Sequence, residues 1–141
     1  MTTVAFRDGV LAADTLVTAN THRDGSVTKI AKRGPVLAAA VGLLPFALAF
    51  LDWFRGGMLG DPPPMGNKED RATGHIFTSD GWVLSYSIFG WQRIRAEYYA
   101  NGSGSDYAYG AMAMGASAED AVRAALIHET ASGGEIQVLR I

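Results

Sequence analysis

Threonine follows methionine at the start of the chain, and removal of Met1 would leave Thr2 with a hydroxyl and a free amine on one residue. The amine, with an ordinary pKa of about 7.7 to 8.0, can take the hydroxyl proton near neutral pH, so nucleophile and general base coincide. Lys29 is the second residue of interest. Alternation along a strand from Val27 to Ala31 puts it on the face of those two residues, opposite Thr28, Ile30 and Lys32. An ammonium over apolar surface calls for a carboxylate, and burial there lowers its pKa toward that of a working base. Asp14 closes the apolar run Val10 to Ala13. A two-residue turn at Asp8-Gly9 sets Arg7 opposite Val10 and Thr3 opposite Asp14, so Asp14 serves Lys29 or the local backbone and does not touch the Thr2 hydroxyl.

Gly102-Ser103-Gly104-Ser105 is a glycine-rich turn before a helical stretch, but it lacks the lysine and spacing of a phosphate-binding loop and reads as a loop with a helix cap. His22, His75 and His128 are scattered and are assigned no role; neither a metal site nor a cofactor is expected. Cysteine is absent, which excludes disulfides, thiolate zinc sites and a cysteine nucleophile.

The elements that must position these residues begin with a hairpin from Thr3 to Val17 around Asp8-Gly9. A turn cluster from Asn20 to Ser26 leads into a strand Val27 to Ala31, and Pro35 to Val41 reads as a strand buried on both faces. Leu43 to Phe54 reads as a helix that is apolar on all sides, which predicts contact with a neighbouring subunit near Phe46, Phe50, Trp53 and Phe54. Residues 56–73, with three successive prolines, read as a flexible loop. Strands follow at His75 to Ser79, Trp82 to Phe89 and Ile94 to Tyr99. Then come helical segments at Ser105 to Gly115 and from the capping box at Ser117 to Glu129, and a closing strand Glu135 to Ile141.

A length of 141 residues fits one domain spanning 1–141, and 48% hydrophobic content excludes disorder over most of it. A net charge of -2 gives no footprint for nucleic acid or an anionic membrane, so neither is expected as a partner. The first residues lack a basic segment followed by an apolar run, so no secretory signal is expected and the location is expected to be cytoplasmic.

Taken in order, Thr2-Thr3-Val4, Asp8 to Asp14, Thr28-Lys29-Ile30, Ala40-Val41-Gly42, Gly102 to Gly110 and Ala131 to Gly134 resemble the proteasome β-type and HslV-type threonine peptidases, which are N-terminal nucleophile hydrolases. The likeness is strongest over residues 2–33 and 98–138. It implies an α+β fold, a four-layer αββα sandwich of two mostly antiparallel sheets between helices, here trimmed because the Pro62 to Arg71 loop stands where the family has a second helix. It implies Thr2 as nucleophile, Asp14 and Lys29 as the charged pair beside it, the Gly42 amide as oxyanion donor, and Ser103, Glu129 and Ser132 as supporting residues. Glu129 departs from the family's aspartate by one methylene. Applied to strand faces, the likeness places Val17, Thr18, Val27, Ala31, Ala40 and Leu44 around the substrate. The activity implied is hydrolysis of peptide bonds in peptides or unfolded proteins by a homo-oligomeric ring, with an ATPase partner in many members. The alternatives are an amidase acting on a small amide and a catalytically silent ring or scaffold protein.

Overall fold

The computed structural model describes residues 2–19, 21–67 and 71–141. Asp8 and Gly9 both hold positive φ, 53° and 74°, the conformation whose twist matches the strands on either side. Across that turn β1 (Thr3–Arg7) pairs antiparallel with β2 (Val10–Ala13), Arg7 opposite Val10 as the spacing predicts. The predicted second strand stops early, because the side chains of Asp14 and Thr15 are drawn into bonds outside the ladder: Asp14 takes Thr3 N–H, and Thr15 Oγ1 donates to the Glu135 carbonyl at 2.8 Å. Leu16 then opens β3 (Leu16–Ala19), which pairs with β4 (His22–Ser26) as a separate hairpin. The sequence predicts only a turn over Asn20 to Ser26. β4 is polar and exposed throughout, so no apolar alternation announced it, and Asn20 lies outside the described residues.

β5 (Ile30–Arg33), β6 (Val36–Val41), β7 (Thr73–Phe77), β8 (Trp82–Ser87) and β9 (Gly90–Arg95) form an antiparallel five-stranded sheet in chain order. β10 (Tyr98–Gly102), β1, β2 and β11 (Gln137–Arg140) form a four-stranded one. Six strands therefore precede the first helix where four were expected, and the single strand expected at Ile94 to Tyr99 is two, broken at Ala96-Glu97. α1 (Leu44–Arg55) carries Pro45 in its first turn, where the missing N–H costs nothing. α2 (Ser105–Ala113) follows β10, and α3 (Ala118–His128) starts at Ser117, whose hydroxyl accepts Asp120 N–H at 3.1 Å. No helix lies between α1 and β7 among the described residues.

Three apolar clusters tie these elements together. Val4, Phe6, Leu11 and Tyr99 of the four-stranded sheet pack with Leu37, Ala39, Val41, Phe77 and Val83 of the five-stranded one. Ala31, Ala38, Ala40 and Ile76 pack with Phe46, Phe50, Leu51 and Phe54 of α1. Ala5, Ala12 and Ala100 pack with Ala108, Met112, Ala121 and Val122 of α2 and α3. The sheet faces turned to helices are rich in small residues, which lets each helix lie close; a Cβ on Gly74 would overlap the Phe50 ring. Phe46, Phe50 and Phe54 are buried within the chain itself, so three of the four aromatic residues expected near a neighbouring subunit are covered by their own sheet, where about half were expected to be. The described ends of the 56–73 loop are tied down, with Met58 and Met65 packed on the α1 cluster and Trp53 Nε1 donating to the Gly60 carbonyl at 3.4 Å; residues 68–70 lie outside the described residues.

His75 sits in β7, fully buried beside Phe77 and Tyr99. Its Nδ1 lies 2.9 Å from Ser85 Oγ, and its Nε2 has no hydrogen-bond partner among the described residues. Burial pushes its pKa down to about 3, so it is neutral in the fold and the unfolded chain binds the extra proton below about pH 6.5. Stability from this residue is complete above that pH and is lost as the pH falls toward 3, at up to about 1.4 kcal/mol per unit. Urea unfolding of the wild type and of His75→Gln between pH 7 and 4 should therefore converge as the pH drops, and parallel curves would show that His75 is protonated in the fold.

Candidate active site

Thr2 precedes β1 and is 6% exposed, at the edge of a cleft of about 800 Å3. Its position is set by backbone contacts. Ser103 N–H donates to the Thr2 carbonyl at 2.8 Å, and a Cβ on Gly102, which has φ +99°, would overlap that carbonyl. Only glycine lets β10 approach this closely. Gly104 plays the same part for Thr3, whose Oγ1 occupies the space a Cβ would fill.

Asp14 is completely buried and fully employed. Oδ1 accepts Thr3 N–H and Lys29 Nζ, each at 3.0 Å, and Oδ2 accepts Gly133 N–H at 3.0 Å. Lys29 lies just before β5, not within the strand expected from Val27, and its Nζ also donates to the Leu16 carbonyl at 2.8 Å. Burial lowers the Lys29 pKa, while the Asp14 charge and hydrogen bond, with a smaller pull from Glu129, oppose that fall. The net effect is a pKa below that of a lysine in water, with burial as the largest cause.

Behind Thr2, Thr3 Oγ1 and Ser132 Oγ lie 2.8 Å apart, Ser132 and Ser103 hydroxyls 3.3 Å apart, and Ser103 Oγ donates to Glu129 Oε2 at 3.1 Å. Glu129 ends α3, and its Oε1 accepts Ala131 N–H at 3.0 Å. Burial raises the Glu129 pKa, but hydrogen bonds from Ala131 N–H and from Ser132 and Ser103 outweigh it and hold the carboxyl below its ordinary value.

Gly42 follows β6 with φ +96° and also lines the cleft. Its N–H makes none of the turn and loop hydrogen bonds of the described residues. Val17, Thr18, Val27 and Leu44 line the cleft. Ala31 and Ala40 do not: they belong to the cluster beneath α1, because alternation along β6 sends Ala38 and Ala40 toward the helix and Ala39 and Val41 toward the other sheet. Depth for a bulky side chain therefore cannot come from those alanines, and Leu43 and Pro45 form the wall instead. The sequence reading missed the Leu16 carbonyl, Asn101 and Arg71. Asn101 stood in plain sight before Gly102-Ser103-Gly104, whereas nothing in the polar run at Arg71 marked it. Among the described residues no group of three His, Cys, Asp or Glu could hold a metal ion, and no helix is long and apolar enough to cross a membrane.

No protein-family model matches the chain, and no curated protein does. Solved structures do. The Thiobacillus denitrificans BPH, solved alone and in complex with epoxomicin, matches over 99% of this chain at 23% identity and TM-score 0.68, with 96% and 97% of its own chain covered. The eukaryotic HslV from Trypanosoma brucei matches over 100% of both chains at 18% identity and TM-score 0.69. The fold is that of the HslV/proteasome-type threonine peptidases. Coverage from end to end means that the short connection between α1 and β7 leaves the shared architecture whole.

Breaking a buried ion pair from one side strands a charge, at a cost of about 3 to 5 kcal/mol. Lys29→Met should lose that much stability, and adding Asp14→Asn should recover part of it, giving a measurable coupling in a double-mutant cycle by urea unfolding. Additive losses would mean that the two side chains do not pair.

Proposed function

We propose that this chain is a peptidase that uses Thr2, freed by removal of Met1, as an N-terminal nucleophile. The supporting observation is the convergence on one cleft of Thr2, Lys29 bound to Asp14, Gly42 and Ser103, on a fold shared with HslV. In this reading the Thr2 amine takes the proton from its own Oγ, and Oγ bonds to the substrate carbonyl carbon. The oxygen that becomes an anion accepts from the Gly42 N–H, a donor fixed in place before the reaction starts. The amine passes its proton to the leaving nitrogen as the C–N bond breaks, leaving an acyl ester on Thr2. Water, deprotonated by the same amine, cleaves the ester and restores the hydroxyl.

Lys29 supplies positive charge that favours the neutral form of the nearby amine, so that the base is available near pH 7. Ser103, Ser132 and Glu129 hold the segment that carries Thr2. In this reading the four layers implied by the family are α1, the five-stranded sheet, the four-stranded sheet, and α2 with α3, and the three apolar clusters between successive members support it. Exposed Leu48 on α1 and Ile127 on α3 offer apolar surface for assembly with further copies.

The test is turnover of a peptide library with apolar residues before the scissile bond. Thr2→Ala should fold with an unchanged Tm and lose at least about a thousand-fold in kcat/KM, since the acyl chemistry has no substitute. Thr2→Ser should retain part of the activity. Turnover by Thr2→Ala within ten-fold of the wild type, or cleavage of small acyl amides in preference to every peptide, would contradict the reading.

A further inference from the structure

Two cavities meet at Arg71. Beyond the cleft beside Thr2 lies a second one of about 300 Å3, between the start of β7 and the tip of the β8–β9 hairpin, and Arg71 and Asn101 line both. Among the described residues neither cavity is lined by an Asp or Glu, while two cations reach them, Lys29 and Arg71. These cations differ in their commitments. Lys29 is bound to Asp14 and to the Leu16 carbonyl, whereas the Arg71 guanidinium makes no hydrogen bond or ion pair with any described residue.

The root of that side chain is nevertheless held. Arg71 has φ 47°, a left-handed conformation uncommon for a residue with a Cβ. Its backbone lies directly on Gly42: a Cβ there would stand 2.9 Å from the Arg71 carbonyl oxygen and 2.7 Å from Ala72 Cα. Gly42 thus lets the segment close down and fixes where the arginine begins, at the partition between the cavities. On one side stand Ile88, Phe89 and Met65, on the other Val17, Val27 and Leu43.

We infer that the joined cavities take a carboxylate-bearing peptide, with Arg71 binding the carboxylate and apolar side chains lying to either side. A planar guanidinium matches a carboxylate with two parallel hydrogen bonds, and one uncommitted cation among the described residues suits a monoanion better than a phosphate dianion. Placed here, Arg71 is a specificity residue that touches the bound chain away from the reacting bond. The inference rests on the peptide reading of the same cleft, but binding can be measured without turnover. The carboxylate can come from an Asp or Glu side chain or from a peptide C-terminus.

The experiment uses Thr2→Ala protein and fluorescence anisotropy with three labelled peptides of one apolar sequence: internal Glu with an amidated end, internal Gln with an amidated end, and internal Gln with a free C-terminus. One carboxylate peptide should bind roughly five- to ten-fold tighter than the neutral one, and the one that does so identifies the source. The advantage should vanish in Arg71→Gln, persist in part in Arg71→Lys, and shrink with added salt. Arg71 is exposed, so both variants should melt with the parent protein. Equal binding of all three peptides, binding of none, or an advantage that survives Arg71→Gln overturns the inference. Failure of the peptidase reading shows separately, as absence of turnover by unsubstituted protein with carboxylate discrimination intact.

Discussion

The ion pair between Asp14 and Lys29 joins the two sheets at the point where the candidate site forms. Asp14 follows β2 of the four-stranded sheet, and Lys29 stands before β5 of the five-stranded one. The same carboxylate takes the Thr3 amide and the Gly133 amide, so four segments distant in sequence share one buried charge. Removing two ions from water is costly and is offset only when each finds several partners. Both do. The geometry that results sets Thr2, held one residue from Thr3, in the same cleft as Gly42, which the other sheet supplies.

Close approach of backbones is the second requirement, and it explains where side chains are missing. Gly102 and Gly104 bring the β10 turn onto Thr2 and Thr3, and Gly42 admits the backbone of Arg71 and Ala72. Each would clash with any Cβ, so these positions carry information that a composition count of glycine hides. The same economy of size appears on sheet faces under the helices, where Ala5, Ala12 and Ala100 face α2 and α3, and Ala38 and Ala40 face α1. A helix drawn onto alanine leaves its own large residues, such as Phe50 and Met112, to fill the layer.

Legibility in the sequence followed the strength of local signals. The Asp8-Gly9 turn fixed the register that places Asp14 opposite Thr3, and the Ser117 cap marked α3 within a residue. β4 escaped because an exposed ladder of His22 to Ser26 is held by backbone bonds alone. The depth expected at Ala31 and Ala40 failed for a different reason: extending a resemblance by position ignored the alternation of β6, which turns Ala40 away from the cleft. Arg71 could not be found from sequence, since its place depends on a contact with Gly42 across 29 residues of chain.

The central claim is that Thr2 bears the acyl group, and mass spectrometry of the intact chain tests it most directly. Purified protein is weighed, then acid-quenched during turnover of a peptide methyl ester and digested. The expected result is a chain lacking Met1 that gains one peptide-acyl increment, mapped to Thr2. An active chain that retains Met1, or an acyl group carried on any other residue, would contradict it.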